Sequence, residues 1–101
     1  MRIVAIEKLA DCFDGSSVYL YHFDQPWTQP AIMRLAALGT LDYFADFPRP
    51  FYRLRGAGGL QAKGVKGERH CRVVVHPGRR ERFIRELEEL LSAIKPIELP
   101  A

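Results

Sequence analysis

Arg53, Arg55, Lys63 and Arg72 are cations set in segments that alternate like strands, and Tyr19 and Tyr21 stand in a further strand-like run. Those residue types gathered on one sheet face could grip an anionic surface. The cations would pair with carboxylates or phosphates, and the aromatics would stack on bases or fill apolar pockets. Lys66, Arg79 and Arg80 are further anion contacts: Lys66 lies in a glycine-rich stretch, and the two arginines start a predicted helix. A helix start flanked by guanidinium groups converges backbone donors and charge on an anion.

Other chemistries fail on spacing. His22, His70, His76, Cys12 and Cys71 are the soft metal ligands, and they show neither CxxC nor HxxxH spacing. No metal or cofactor is expected. Cys71 is flanked by Arg69 and Arg72, a setting that favours a thiolate, yet strand alternation turns it into the core. Gly59-x4-Gly64 opens like a phosphate loop, but Val65 and Lys66 occupy the places of the required Lys and Ser/Thr. Turn chemistry accounts for these glycines. Asp11 with Asp14, and Asp42 with Asp46, sit beside predicted turns, where Asp serves as a cap or turn former. No nucleophile, base or metal cluster can be named, so the chain reads as non-enzymatic.

Charge patterning sharpens the picture. The formal net charge of +3 conceals eleven Lys and Arg against two Glu between residues 49 and 85. Both flanking segments are net acidic. Such asymmetry speaks of partners rather than of fold. At 101 residues, with 48% hydrophobic and 27% charged residues, the chain is expected to form one α+β domain over 1–101, with 96–101 a frayed tail. The N-terminal apolar run breaks at Glu7, too early for a signal peptide. A cytoplasmic protein with reduced cysteines and no membrane contact is expected.

The elements that must position these residues come from periodicity. Ile6, Leu9, Ala10 and Phe13 recur at helical spacing and predict a short helix over 4–13. Strands are predicted over 18–23, 40–44, 51–55, 60–65 and 70–75, the fourth bulged at Gly64. Thr28 caps a helix with Pro30 in its first turn. Phe83, Leu87, Leu90, Leu91 and Ile94 predict a final helix over 79–94, which Pro96 ends.

This order predicts a two-layer α+β sandwich, a mostly antiparallel four- to five-stranded sheet with helices on one face. In topology it resembles ferredoxin-like or related split βαβ folds. Alternation sends Val18, Leu20, Tyr52, Leu54, Leu60, Ala62, Cys71, Val73 and Val75 inward. Tyr19, Tyr21, Phe23, Phe51, Arg53, Arg55, Lys63, His70 and Arg72 are then expected on the open face. Such a platform is similar in outline to the RNA-recognition motif, whose signature strand begins with a basic residue, Gly and an aromatic. Lys63-Gly64 match the first two places, and Val65 and Lys66 follow where stacking aromatics belong.

The expected function is a binding or interaction module. Its basic, aromatic sheet face would dock a protein partner or a second copy of itself. The alternative is single-stranded nucleic acid, RNA above all, on the same face. A small anionic ligand is the third reading.

Overall fold

A computed structural model describes residues 1–94. Six strands form one sheet: β1 (Ile3–Asp11), β2 (Ser17–Phe23), β3 (Thr40–Phe44), β4 (Phe51–Arg55), β5 (Gln61–Val65) and β6 (His70–Val75). Their spatial order is β1-β2-β6-β5-β4-β3, and every pair is antiparallel. Two α-helices accompany them, the short α1 (Gln29–Arg34) and α2 (Pro77–Leu91). The chain leaves β2, passes through α1 to the far edge, and returns strand by strand until β6 pairs with β2. The expected four- to five-stranded sheet with helices on one face is therefore corrected to six strands, and the ferredoxin-like βαβ order is replaced. The expected tail 96–101, and Pro96 with it, lie outside the described residues.

The extra strand is β1, which the periodicity assigns to a helix. Two bulges explain the error. Register shifts fall between Ile3 and Ala5 and between Lys8 and Ala10, so Val4 and Leu9 are the inserted residues. A bulge adds one residue and resets the alternation. Ile3 and Ile6, three apart, thereby both become half-buried against the core. Val4 and Leu9 are left exposed, as is Phe13 in the turn that follows. In that turn the Asp14 carboxylate accepts from the Ser16 hydroxyl at 2.6 Å and the Ser16 backbone N–H at 3.0 Å. The hydroxyl bond, then the backbone bond, hold the Asp14 carboxyl below its ordinary range.

The core is built from one set of strand side chains. Tyr19, Val73, Ala62, Leu54 and Leu41 follow one another across β2, β6, β5, β4 and β3. Tyr21, Cys71, Gly64, Tyr52 and Tyr43 make the next such row. Ala31 and Ile32 of α1 and Phe83, Leu87 and Leu91 of α2 join this cluster. Trp27 sits on the Tyr52 ring at 5.1 Å and meets Phe23 edge-on at 5.0 Å. Burial of these side chains supplies most of the driving force for folding, at roughly 1.5–3 kcal/mol for each large apolar residue.

Gly64 is not the predicted bulge. It pairs in regular register with Tyr52 and Cys71. A Cβ there would lie 2.5 Å from the Tyr52 hydroxyl, so the glycine exists to let that ring lie flat on β5. Gly67 serves differently. Its φ of 92° closes the β5–β6 turn, a conformation that favours glycine.

Thr28 caps α1 as expected, its hydroxyl accepting from the Ala31 N–H at 3.4 Å. α2 begins at Pro77 and ends at Leu91, two residues earlier and three earlier than predicted. One turn apart on α2, Arg82 and Glu86 pair at 2.9 Å.

Candidate functional site

The strand side chains opposite the core form the open face. Strand register places one residue from each strand in a single transverse row: Glu7, Leu20, Arg72, Lys63, Arg53, Asp42. Three cations thus stand side by side at the middle of the sheet, on strands ~4.8 Å apart. Asp42 ends the row. Its carboxylate accepts from Arg53 at 3.1 Å and from Arg55 at 3.4 Å. Lys63 and Arg72 make no ion pair with any described residue. Like charges directly opposite one another destabilise a sheet, so this pairing works against the fold.

An apolar row lies beside the cations. Phe44, Phe51 and Val65 face one another across β3, β4 and β5. The Phe44 and Phe51 rings stack at 4.6 Å and 20°, and Phe47 from the β3–β4 connection packs on both. Leu20, Phe51, Val65, Lys63 and Arg72 help line a groove of about 630 Å³ over this part of the face. Its size falls in the range of ligand clefts, ~300–1,000 Å³.

Beyond the cationic row stand two histidines and two glutamates, of which His70 and Glu68 line the groove. His22 and His70 are cross-strand partners whose rings meet edge-on at 6.3 Å. His22 Nε2 lies 3.4 Å from Glu7 and His70 Nε2 lies 3.1 Å from Glu68. Glu68 also accepts a short hydrogen bond from Arg49.

Arg53, Arg55, Lys63 and Arg72 are thus gathered as expected, across β4, β5 and β6. Tyr19 and Tyr21 are not with them. Both are buried, Tyr21 completely, in the rows that face the helices. The whole of β2 is turned by one residue from its expected orientation, because its two faces are nearly equally apolar and the larger aromatics win the core. His22 was the available signal. It alternates with Val18 and Leu20, and a polar ring marks that set as the outer one. The Phe44–Phe47–Phe51 cluster has no local sequence signal, because two of its members come from β3 and the proline-rich connection after it.

The second expected anion site is dispersed. Lys66 follows β5 and donates its backbone N–H to Pro50. Arg79 lies at the opposite end of β5, where a Cβ on Gly58 would come within 2.7 Å of its guanidinium. Arg80 is spent on the core edge, its guanidinium 5.0 Å above the Tyr19 ring.

Catalytic chemistry finds no support at Cys71. Burial pushes its thiol up to about 12, and a nucleophilic thiol needs the opposite shift. Burial likewise raises the Tyr21 phenol to about 12 and the Tyr52 phenol well above its ordinary value. Among the described residues no group of three or more metal-ligating side chains comes together, and no helix is long and apolar enough to cross a membrane.

The architecture is that of an α+β protein on a six-stranded antiparallel sheet, with a cationic row on its open face. No known family, curated protein or solved structure matches the chain.

Proposed function

We propose that this chain is a non-enzymatic binding module whose open sheet face docks an acidic segment of a protein partner. The observation that carries the reading is the juxtaposition of Lys63 and Arg72, unpaired with any described residue, over an apolar groove. Carboxylates of the partner relieve their mutual repulsion, and an apolar side chain of the same segment fills the groove beside Phe51 and Val65. A cytoplasmic setting, in which Cys12 and Cys71 stay free thiols, belongs to this reading.

Two features favour an acidic protein segment over the other occupants. A centred two-fold pairing of two such faces sets the cations of one copy on those of the other, which disfavours self-association here. Nucleic acid needs aromatic faces free for stacking. The Tyr19 and Tyr21 rings are buried, and Phe44 and Phe51 stack on each other instead.

The test is fluorescence anisotropy of a labelled octapeptide of alternating Asp and Leu, at about 50 and about 200 mM salt, beside a labelled single-stranded RNA. Saturable peptide binding that weakens with salt and is lost in Lys63→Ala and Arg72→Ala supports the reading. RNA binding without peptide binding replaces it with the nucleic-acid alternative.

A further inference from the structure

The part of the face beyond the cationic row has no part in the docking contacts described so far. Four side chains stand beside one another there in order, Glu7, His22, His70 and Glu68, and the last two line the groove. Each imidazole meets one carboxylate, and the two imidazoles meet each other. The array is built from β1, β2, β6 and the turn before β6, so the sheet itself fixes it.

Its position matters more than its internal bonds. His22 follows Leu20 by two residues on β2, and His70 precedes Arg72 by two on β6. A two-residue step along a strand is ~6.7 Å. That is shorter than the ~8–10 Å over which salt screens exposed charges. Any carboxylate seated on Arg72 therefore feels the charge state of both rings. His70 and Glu68 also line the groove directly.

Histidine is the side chain whose charge ordinarily changes between about pH 5 and pH 8. With both rings neutral, Glu68 at the groove and Glu7 beyond His22 leave negative charge beside the cationic row, offset at Glu68 by Arg49. An acidic partner is repelled there. With both rings protonated, each carboxylate is matched by its own imidazolium, and the face gains two positive charges. The remaining charged groups near the array are Arg72, Lys63 and Arg53 in the cationic row, and Arg69, which donates to the Asp24 carbonyl. None of these changes charge over that interval. Partner carboxylates also stay ionised down to about pH 5.

We propose that His22 and His70 couple docking to proton uptake, so that the acidic segment is held more tightly as pH falls from about 7.5 to about 5.5. This rests on the acidic-partner reading. A simple salt-bridged interface, whose carboxylates and cations keep their charges over that interval, shows no such gain. By linkage, binding the segment takes up protons at intermediate pH.

The experiment measures the affinity of the Asp–Leu octapeptide at both pH values, for the wild-type chain and for the His22→Gln/His70→Gln variant. Wild type is expected to tighten at least about threefold on acidification, the gain that one added charge at this range supplies, and the variant to show no such gain. Calorimetry of the wild type in two buffers of different ionisation enthalpy provides a second readout that needs no variant: the apparent binding enthalpy should depend on the buffer. Peptide affinity that is equal at both pH values, or a gain that persists in the variant, overturns the proton coupling and leaves the docking reading intact. Absence of peptide binding at either pH overturns the docking reading itself.

Discussion

Lys63 and Arg72 stand directly opposite each other on adjacent strands of the open face, and no described acid pairs with either. A sheet selected only for stability would not keep that arrangement. Cross-strand pairs contribute roughly 0.2–1 kcal/mol, and like charges reverse the sign. Lys63→Thr should therefore leave the fold slightly more stable, by a few tenths to about 1 kcal/mol, with β-branching adding to the gain. The same variant should bind the acidic octapeptide more weakly. Urea unfolding and peptide anisotropy on one preparation check both halves. A destabilised variant would show that Lys63 has a structural partner after all.

Asp42 predicts the opposite sign of effect on binding. Its carboxylate neutralises Arg53 and Arg55 at the end of the cationic row. Asp42→Asn frees both guanidinium groups toward the groove. Peptide affinity should rise, and the salt dependence should steepen because more cations engage. The stability cost should stay below about 1 kcal/mol, since these half-exposed pairs are screened by solvent. Weaker peptide binding in this variant would place Asp42, not the arginines, in the contact.

Gly64 tests the core packing independently of function. Its missing Cβ makes room for the Tyr52 ring, whose nearest atom would be at 2.5 Å. Gly64→Ala forces that ring out of a filled core, and overpacking of this kind costs roughly 1–3 kcal/mol. Chemical denaturation should report the loss. An unchanged midpoint would mean that the ring has space elsewhere.

Alkaline pH should unfold the chain by way of Cys71. Its folded thiol is raised to about 12, while the unfolded thiol ionises near its ordinary value, about 8.5–9. Below that value both states hold the proton and stability is constant. Above it the unfolded state releases its proton first, so stability falls with rising pH until the folded thiol also ionises. The slope reaches about 1.4 kcal/mol per pH unit for one group, and Tyr21 adds to it from about pH 10. Cys71→Ala should flatten the slope between about pH 9 and 10, which denaturant titrations across that interval would show.

Much of this fold can be read in residues 40–91. The segments Thr40–Phe44, Phe51–Arg55 and His70–Val75 match their predicted strands residue for residue, because they are rich in strand formers and turn residues stand close by: Gly39 before the first, Pro50 and Gly56 around the second, and Pro77 just past the third. Arg53, Lys63 and Arg72 fall on one face for the same reason. The N-terminal third reads less well. Leu9 is a bulge residue that completes a helical repeat with Ile6, Ala10 and Phe13, and no local preference distinguishes a twice-bulged edge strand from a short amphipathic helix. Tyr19 and Tyr21 turn inward although Val18–Phe23 is nearly equally apolar on both faces, and the polar ring of His22 alone marks the outer set. The row from Glu7 to Asp42 needs strand order as well as strand identity. That order depends on β2 pairing with β6, a long-range contact that no window of sequence contains.

That same pairing decides when the groove comes into existence. β1 with β2 is a hairpin, and β3 through β6 form a meander of chain neighbours. Only the ladder that joins Ser17 to Val75 and His22 to His70 closes a long loop. Local pairings form early and distant ones late, because loop entropy opposes them first. Stopped-flow refolding should therefore find that Ile6→Ala, in the early hairpin, slows folding, whereas Val75→Ala, on the late ladder, mainly speeds unfolding. A nascent chain that has made its meander already displays Lys63 and Arg53, but Leu20 and His22 are not yet beside them. On the proposed docking reading, the groove that recognises the partner exists only once folding is complete, and an immature chain carries the charge without it.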